Sequence, residues 1–508
     1  MTQTLKRAAA FAVLTALLTG LLAVPAAAET PRFRDVPAGL WAADDIDQAV
    51  DAGLFQGRED GTFGLGQKMT RASFVAVLGR LFDWKAAVPA QPTFTDVKRG
   101  DWFYTAVETA CANGAVLDQS ETFRPADAVT REEMASMLIR CLGYEALSGL
   151  AQDLPLPFTD LNTNAGYIAV AYSLGLMTGF TDTSFGPDQP ATREQAAVVV
   201  MRTLSRYEKT YPVVSAVVDG DGLSVEKRLD TAAIPAARLQ VFSKTPRLTT
   251  ALSDAAQSAA RSAAKEAGAK ALLLVAGDEK SLRGDLSATV SLLAEAAEDW
   301  DGLQLDIRQL TGGDKSAFTA LVQSLHAALP PDKLLFVTAE APSWEEHSYD
   351  GYDFAALNVH ADRIILRVAA HEAAVNGFPV APPEPLEEVY YALCTVSKAV
   401  DPGRLSLWLT TTGSLWTDSG SGPRSGGSVD AEALGTFLEK SDRYYSSRYE
   451  AAYAVQDGKS LSVVWYLDRQ AVEARLQMAR FLGVTHVALS DGGSVTDDES
   501  GSVSALWA

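Results

Sequence analysis

The chain has 508 residues, of which 47% are hydrophobic, so it is long enough for more than one domain with its own core. It carries 64 acidic and 43 basic residues and a net charge of -21. This balance argues against nonspecific binding to nucleic acid, because neutralising phosphates requires a basic surface. It also argues against electrostatic capture by an anionic membrane. An acidic chain can still bind an anionic polymer, but only through a few well-placed cations.

The first 28 residues have the pattern of a secretory signal peptide. Lys6 and Arg7 supply a positive start, and Ala8 to Leu22 is an apolar run of about the length of a signal core. Small residues up to Ala28 then match a signal peptidase site. Because the run is short for a membrane span, we favour cleavage after Ala28 over an uncleaved anchor. We therefore predict export and no membrane partner after cleavage.

Two short patterns occur three times in the N-terminal part of the chain. The first places an acid two residues after a Phe, at Phe33 and Asp35, Phe94 and Asp96, and Phe158 and Asp160. The second is a Thr-Arg pair, at Thr70 and Arg71, Thr130 and Arg131, and Thr192 and Arg193. Between them lie an aromatic residue (Trp41, Trp102 or Tyr167), a helical stretch and a turn. Each unit is too small to bury its core alone, so we expect the three to pack together.

The Thr-Arg pair is predicted to begin the second helix of each unit, with the Thr as its N-terminal cap. Glu133 and Gln195 stand at the third position after the Thr in the second and third units, which completes a capping box. The first unit has Ser73 at that position. An Arg in the first turn of a helix can hold a carboxylate through two hydrogen bonds.

These three units resemble the S-layer homology domain family, over residues 32–83, 93–145 and 157–207. The resemblance implies a helix-rich three-repeat bundle that binds secondary cell-wall polysaccharide, often with a pyruvylated terminal sugar. It implies polysaccharide-binding roles for six residues: Arg71, Arg131, Arg193, Asp35, Asp96 and Asp160. The alternative is that these side chains only tie neighbouring repeats together. Ser73 departs from the family's usual acid, so one or two of the three grooves are expected to be weak.

The three cysteines are too few for a disulfide scaffold. Cys111 and Cys141 lie on apolar helical faces of the second repeat, and we favour two buried thiols over a disulfide between them. The His and Cys residues are scattered along the chain, so we predict neither a metal site nor a cofactor.

After Tyr207 short apolar runs alternate with helical stretches. Eight runs are predicted to be strands: Val213–Val218, Arg238–Phe242, Ala271–Val275, Leu303–Ile307, Leu334–Thr338, Arg363–Val368, Leu405–Leu409 and Thr485–Leu489. Eight strands alternating with helices predict an α/β barrel of the (β/α)8 TIM type over residues 212–495. Residues from about 412 to 463, first rich in Gly and Ser and then in Tyr, are predicted to form an insertion.

The segment from Trp300 to Arg308 resembles the fourth strand of glycoside hydrolase family 18, and Asp314 to Ala339 resembles the helix and fifth strand of its spore- and peptidoglycan-directed members. The family motif, Asp-x-x-Asp-x-Asp-x-Glu, falls on Asp301, Gln304, Asp306 and Arg308. Residues two apart on a strand share a face, so Gln304, Asp306 and Arg308 should point into the barrel. The resemblance places the catalytic acid at Arg308, but a guanidinium stays protonated and cannot donate that proton.

Three further family positions are altered. The resemblance places a Tyr-Asp pair at Ala369 and Ala370, and a Trp at Ser490. We therefore predict a barrel without hydrolytic activity that binds a glycan such as peptidoglycan or is purely structural. We expect Asp306 to pair with Arg308.

The whole chain is thus predicted to be a secreted protein of the cell wall or S-layer surface, held by its repeats. The alternative is an active glycosidase of cell wall or chitin with a relocated acid. Five residues near predicted strand ends are candidates for that acid or its partners, although surface or ion-pair roles explain each more simply: Glu340, Glu345, His371, Glu372 and Asp491.

Overall fold

The computed structural model describes residues 31–117, 120–152, 154–161, 164–207, 212–218, 229–344, 350–418 and 420–491. The predicted signal peptide and its cleavage site lie outside these residues.

The N-terminal part is helical. Its helices in the described residues are α1 (Ala43–Asp51), α2 (Arg71–Leu81), α3 (Tyr104–Ala112), α4 (Arg131–Cys141), α5 (Glu145–Ala151), α6 (Ala165–Ser173) and α7 (Arg193–Tyr207). The second helix of each repeat packs on the first helix of the next, α2 on α3 and α4 on α6, and α7 closes the set on α1. The three repeats therefore form one cyclic bundle.

A ring of backbone hydrogen bonds joins the three repeats at the centre of the bundle. The N–H of Met69 donates to the carbonyl of Ala191, that of Ala191 to Val129, and that of Val129 to Met69, each at 2.9 Å. Each strand-like segment runs directly into a capped helix. The capping box predicted at Thr130 and Glu133 is confirmed. Every repeat thus both donates to one neighbour and accepts from the other.

The C-terminal part is a closed barrel, as predicted. Its eight parallel strands are β1 (Val213–Val217), β2 (Thr231–Phe242), β4 (Lys270–Asp278), β5 (Gly302–Arg308), β6 (Leu334–Glu340), β7 (Arg363–Arg367), β10 (Leu405–Leu409) and β16 (His486–Leu489). They pair in that order, and β16 pairs with β1 to close the circle. The strand β3 (Thr245–Thr250) extends β2 as an antiparallel hairpin.

The sequence placed the second strand too late. The barrel pairing of β2 starts at Thr231, whereas the predicted residues 238–242 pair mainly with β3. The pairing register with β4 shifts between Ile234 and Ala237, around Pro235. A proline cannot donate a hydrogen bond to a neighbouring strand, but it is tolerated where the pairing register shifts. Because of this proline, the Ala-rich first half of β2 was not recognised as a strand in the sequence.

Helices surround the barrel: α8 (Asp254–Ala267), α9 (Leu286–Ala296), α10 (Lys315–Ala328), α11 (Phe354–His360), α12 (Leu386–Val396) and α14 (Arg469–Phe481). The strands β8 (Ala373–Val375) and β9 (Phe378–Val380) form a hairpin. A five-stranded antiparallel sheet stands between β10 and α14, with the helix α13 (Ala431–Leu438) packed on it. Its strands are β11 (Gly413–Asp418), β12 (Arg424–Val429), β13 (Asp442–Ser446), β14 (Ala451–Gln456) and β15 (Leu461–Tyr466).

The bundle and the barrel share one continuous hydrophobic core. The ring of Tyr144 meets that of Phe481 edge-on, with centroids 6.3 Å apart, and α7 packs on α14. Cys111, Cys141 and Cys394 are all thiols rather than half-cystines. Burial raises the pKa of Cys394 to about 12 and that of Cys141 further still, so neither is a reactive thiolate at neutral pH. Over the ranges that the structure covers, no helix has the length and apolar character of a membrane span.

Candidate functional site

The three repeated arginines reach across the boundary into the next repeat. Each Nε donates to a backbone carbonyl there: Arg71 to Phe123 at 2.8 Å, Arg131 to Phe185 at 2.9 Å and Arg193 to Phe63 at 3.0 Å. Each guanidinium also lies over the ring of the same Phe, 4.7 to 4.8 Å from its centroid. The arginines therefore join the repeats through hydrogen bonds and cation–π contacts.

These side chains are not presented freely at the helix starts. Arg71 and Arg131 are each only 7% exposed, and Arg193 is partly buried. All three arginines therefore tie neighbouring repeats together, as the alternative interpretation of the sequence predicts. Their contact with a polysaccharide stays a prediction.

The repeated aspartates hold turns within their own repeats. Asp35 accepts from the N–H groups of Phe63, Gly64 and Leu65, Asp96 from Phe123 and Arg124, and Asp160 from Phe185 and Gly186. Together with a hydrogen bond from the Ser184 hydroxyl, these amides hold the pKa of Asp160 at about 2. A structural role accounts for these contacts, and polysaccharide binding by the aspartates stays a prediction.

Two cavities open where repeats meet, and each contains one of the arginines. One, of about 220 Å³, is lined by Arg131, Arg202 and Trp41. The other, of about 170 Å³, is lined by Arg193, Arg80 and Trp102. The two tryptophans are 62% and 69% exposed, which is unusual for so large an apolar side chain. Each cavity thus combines two cations with an open aromatic ring.

The arginines keep one nitrogen available in these cavities. Nη2 of Arg131 donates to the carbonyl of Thr178 at 2.5 Å, and Nη2 of Arg193 to that of Gln56 at 3.1 Å. Within the described ranges, Nη1 of both has no hydrogen-bond partner, and no carboxylate lies within 4.0 Å. Burial lowers the pKa of both groups, so each is a partly desolvated charge that carboxylates compensate only from beyond ion-pair distance.

The third aromatic of the sequence pattern occupies a different place. Trp41 and Trp102 each precede the first helix of their repeat, whereas Tyr167 lies inside α6 and is only 9% exposed. The guanidinium of Arg140 lies 4.7 Å from the centre of its ring, and its hydroxyl donates to Glu145 at 2.7 Å. Tyr167 is therefore a packing residue and not the counterpart of the two tryptophans.

The barrel mouth is organised around Asp306, which is 4% exposed. Arg308 donates to it through Nε at 3.1 Å and Nη2 at 2.8 Å, so the predicted pair is confirmed. Arg367 adds a second fork, at 3.1 and 3.2 Å. Burial alone would raise the pKa of Asp306, but the two guanidiniums hold it below its ordinary value. Asp306 is therefore an ionised carboxylate whose two oxygens are fully engaged.

A cavity of about 390 Å³ lies above this cluster, at the carboxyl ends of the strands. Its lining includes Arg308, Glu340, Arg367, Glu384 and Trp408, together with the altered positions Ala369, Ala370 and Ser490. The side chain of Arg308 is 53% exposed. Its hydrogen bonds to Asp306 raise its pKa, so the one half-exposed group of the clamp is a permanent cation.

The other motif residues do not converge on this cavity. Gln304 is buried and donates to the Thr338 hydroxyl at 3.1 Å. Asp301 precedes β5 and accepts from the N–H of Ala271 at 2.8 Å, at the opposite end of the barrel. Of the five candidates for a relocated acid, Glu340 lines the cavity and Glu345 lies outside the described residues. His371 stacks on Tyr449, with ring centroids 5.6 Å apart.

Sequence reasoning missed two residues of the barrel mouth. Arg367 stands two residues beyond the inward Ile365 on β7, so strand alternation would have found it. Glu384 lies between prolines, 3% exposed, and accepts from the N–H and hydroxyl of Thr410 at 3.1 and 2.6 Å. Its backbone φ of 38° is in the left-handed region, and burial raises its pKa. A Glu between prolines gives no signal in the sequence that its carboxyl group is buried at the barrel mouth.

Two tryptophans of the C-terminal part pack against other side chains. Trp344 stands edge-on against Tyr391, with centroids 5.2 Å apart, and Trp416 lies in β11 opposite Val463. In the part of the chain that the structure covers, no three His, Cys, Asp or Glu side chains are grouped as a metal site.

Two protein families match the chain. The S-layer homology domain matches residues 32–75, 93–135 and 157–197. Glycosyl hydrolases family 18 matches residues 266–485. Both resemblances predicted from the sequence are confirmed.

Among curated relatives, an S-layer protein of Bacillus licheniformis is 31% identical over 213 residues, which cover 41% of this chain and 24% of that protein. Exoglucanase XynX of Acetivibrio thermocellus is 30% identical over 173 residues, 33% of this chain and 16% of that protein. The chain thus spans a quarter or less of these relatives.

Among solved structures, the C-terminal domain of a chitinase candidate from Desulfitobacterium hafniense DCB-2 superposes with a TM-score of 0.50 at 17% identity. The match covers 58% of this chain and 98% of that one. At this identity the likeness concerns the fold of the barrel alone.

Proposed function

Because the chain carries three S-layer homology repeats followed by a glycoside hydrolase family 18 domain, we propose that it is a wall-anchored surface protein with a non-hydrolytic barrel. The repeats attach it noncovalently to an acidic secondary cell-wall polysaccharide. The barrel faces a glycan such as peptidoglycan. A secreted, cell-surface location agrees with the matches to S-layer proteins.

The observation that carries the anchoring proposal is the pair of inter-repeat cavities. Each offers an Nη1 nitrogen of a desolvated arginine beside an exposed tryptophan, Arg131 with Trp41 and Arg193 with Trp102. An N–H group of arginine binds a carboxylate strongly, and an aromatic face packs well on a sugar ring. An acidic protein can therefore hold an acidic polymer at these points, despite its overall charge.

The non-hydrolytic proposal rests on the clamp around Asp306. A family 18 mechanism needs an acid that protonates the leaving oxygen, and the position that the resemblance gives to it is Arg308. Arg308 and Arg367 bind both oxygens of Asp306, so that carboxylate is not free to act on a substrate. The cavity keeps room and polar groups for binding a sugar without the means to cleave it.

Anchoring is tested by sedimentation of the full mature chain with purified wall sacculi. The wild type should sediment, and removing the secondary polysaccharide should abolish this. The double variant Trp41→Ala/Trp102→Ala should lose at least about tenfold in affinity, because both rings leave the cavities. Phe242→Ala is the matched control, since Phe242 is a 55% exposed aromatic on the barrel hairpin. Equal sedimentation with stripped sacculi would refute the proposal.

Hydrolysis is tested with the same chain on chitooligosaccharides and peptidoglycan, and we expect no turnover above a heat-killed control. One observation favours the competing function, an active glycosidase. Glu384 lines the cavity with a raised pKa, as a general acid would. Turnover that is lost in Glu384→Gln would establish that function and reject ours.

A further inference from the structure

Arg475, on α14, is a cation buried inside the C-terminal part, with 0% of its surface exposed. Its five N–H groups all donate to backbone carbonyls, which belong to Pro383, Glu384, Tyr449, Glu450 and Ala471. A guanidinium has five N–H donors, so every one of them is satisfied. Within the described residues no carboxylate lies within 4.0 Å of it, and nearby carboxylates act on its charge only from a greater distance. Arg475 is therefore bound to the main chain rather than ion-paired.

The first segment that Arg475 holds is the turn before α12. Its Nε donates to the carbonyl of Glu384 at 2.7 Å, and Nη2 donates to that of Pro383 at 3.2 Å. Pro382, Pro383 and Pro385 have no N–H, so this turn has few backbone donors with which to hold itself. The φ of Glu384, 38°, is unfavourable for a residue with a side chain. The turn therefore needs support from outside, and the guanidinium supplies it.

The second segment is the turn of the insertion that joins β13 to β14. Nη2 of Arg475 donates to the carbonyl of Tyr449 at 3.2 Å, and Nη1 donates to that of Glu450. Glu450 also has a left-handed backbone, with a φ of 47°. The ring of Tyr449 packs edge-on against that of Trp465, with centroids 6.0 Å apart, which ties the turn to the sheet of the insertion. One guanidinium thus holds two strained turns, one before α12 and one in the insertion.

The side chain of Glu384 carries this arrangement into the barrel mouth. Its carboxyl is buried against Thr410, and it lines the cavity above Asp306. Because the backbone of the turn fixes the direction in which Cβ leaves the chain, the turn decides whether the carboxyl reaches this position. Burial raises its pKa, whereas the hydrogen bonds from Thr410 and the charge of Arg475 lower it. Arg475 therefore has two separable effects on Glu384, one through the backbone and one through its charge.

Resting on the proposed glycan-holding role of the barrel, we propose that Arg475 is a positioning residue of the barrel mouth. It fixes the turn that places the carboxyl of Glu384 in the cavity, where that carboxyl can hydrogen-bond a sugar hydroxyl. Arg475 does not contact the ligand itself, since no part of it is exposed. The same guanidinium binds the turn of the insertion at Tyr449 and Glu450, so the position of the insertion and that of Glu384 are coupled.

The test is the pKa of Glu384 in the full mature chain, measured by NMR of side-chain carboxyl carbons and assigned with Glu384→Gln. If Arg475 acted only through its charge, Arg475→Met would raise this pKa further, since that charge lowers it. If Arg475 positions the turn, the carboxyl moves into water in Arg475→Met and its pKa falls toward the ordinary 4.5. Arg475→Lys keeps the charge but loses the five-donor fork, and should cause the same fall.

Arg469→Met is the matched control on the same helix. The side chain of Arg469 is 52% exposed, and its Nε lies 3.2 Å from Oε1 of Glu473, so its loss should leave the pKa of Glu384 unchanged. Melting temperatures establish that each variant is folded. If neither Arg475 variant folds, the wild type supplies the decisive measurement. Its Arg475 Nε–H should exchange with solvent at least about a hundredfold more slowly than that of Arg469. Equal exchange rates would overturn the inference.

Calorimetric titration with chitotetraose measures the effect on ligand binding. Arg475→Lys should weaken binding at least about tenfold, because the hydrogen bond between Glu384 and the sugar is lost, and Arg469→Met should bind as the wild type does. A pKa of Glu384 that rises or stays in Arg475→Met, or unchanged binding in Arg475→Lys, would overturn the inference and leave the glycan-holding role standing. A wild type that ignores chitotetraose, while the pKa falls as expected in the variants, would overturn that role but establish the positioning of Glu384.

Discussion

The bundle and the barrel both build their candidate sites around arginines, but they differ in what those arginines face. In the bundle, Arg131 and Arg193 meet backbone carbonyls and Phe rings, and within the described residues neither has a carboxylate within 4.0 Å. In the barrel, Arg308 and Arg367 both pair with Asp306, whose single carboxylate balances one of their two charges. The number of cations in a cavity therefore says little about its affinity for an anion, because what matters is the charge left over after internal pairing.

The largest expected effect is on the barrel side. Arg367→Ala leaves Asp306 buried with one partner instead of two, and should lower the free energy of unfolding by ~2–4 kcal/mol, because two hydrogen bonds to a buried carboxylate are lost. Chemical denaturation of the full chain measures this. Asp306→Asn in the same background should recover part of the loss, because it removes a buried charge that has lost half of its hydrogen-bond partners. A loss below about 1 kcal/mol would mean that the cluster contributes no net stability. The ion-paired arginines of the barrel would then not differ in this respect from the arginines of the bundle.

The next effect concerns the pH dependence of stability, which should have opposite signs for one carboxyl group in each region. Burial raises the pKa of Glu387 on α12 from its ordinary 4.5 to about 7. The folded barrel keeps a proton that the unfolded chain releases, so stability should fall by ~1–3 kcal/mol as pH rises from about 4.5 to 7 and then level off. Glu387→Gln should make this slope shallower, and the raised pKa of Glu384 should account for part of what remains.

Asp160 provides the matched case in the bundle. Its pKa is held at about 2, so its stabilising contribution is present above pH 4 or so and is lost as the pH falls toward 2. In Asp160→Asn, the denaturation midpoint should fall less steeply as the pH drops below 4. Its change between pH 4.5 and 7 should stay as in the wild type. If Glu387→Gln and Asp160→Asn changed stability over the same pH range, the two regions would not titrate independently.

The smallest effect on stability is expected for the cation of the bundle. Arg193→Met keeps an unbranched apolar stem over Phe63 but removes the hydrogen bonds to Phe63 and Gln56, and should cost ~1–2 kcal/mol. Wall sedimentation should nevertheless fall at least about tenfold, because Nη1 is gone. A variant that unfolds as badly as Arg367→Ala would show that the bundle arginine is chiefly structural.

Much of this architecture follows from local sequence. The Thr-Arg pairs, with Glu133 and Gln195 behind two of them, predicted the capped helices, and seven of eight barrel strands were placed within a few residues. The pairing of Asp306 with Arg308 follows from their two-residue spacing on one strand. These features depend on neighbours in the chain, which a sequence displays directly.

The candidate sites depend on contacts between distant segments. Nothing near Arg71 in the sequence reveals that its partner is Glu133, 62 positions later, or that Arg367 completes the cluster at Asp306. The sequence also made Ser73 the sign of a weak groove, since it departs from the family's acid. Which of the three grooves binds more weakly stays a prediction.

The ring of three backbone hydrogen bonds through Met69, Val129 and Ala191 has a consequence for how the anchor is assembled. A closed circle has no first or last member, so removing any one repeat strands a donor on one neighbour and an acceptor on the other. Two repeats alone cannot form this closed ring of hydrogen bonds. Conversely, a circular permutant that begins at the second repeat would preserve every bond of the ring, so the order in which the repeats are translated is free to vary while their number is not.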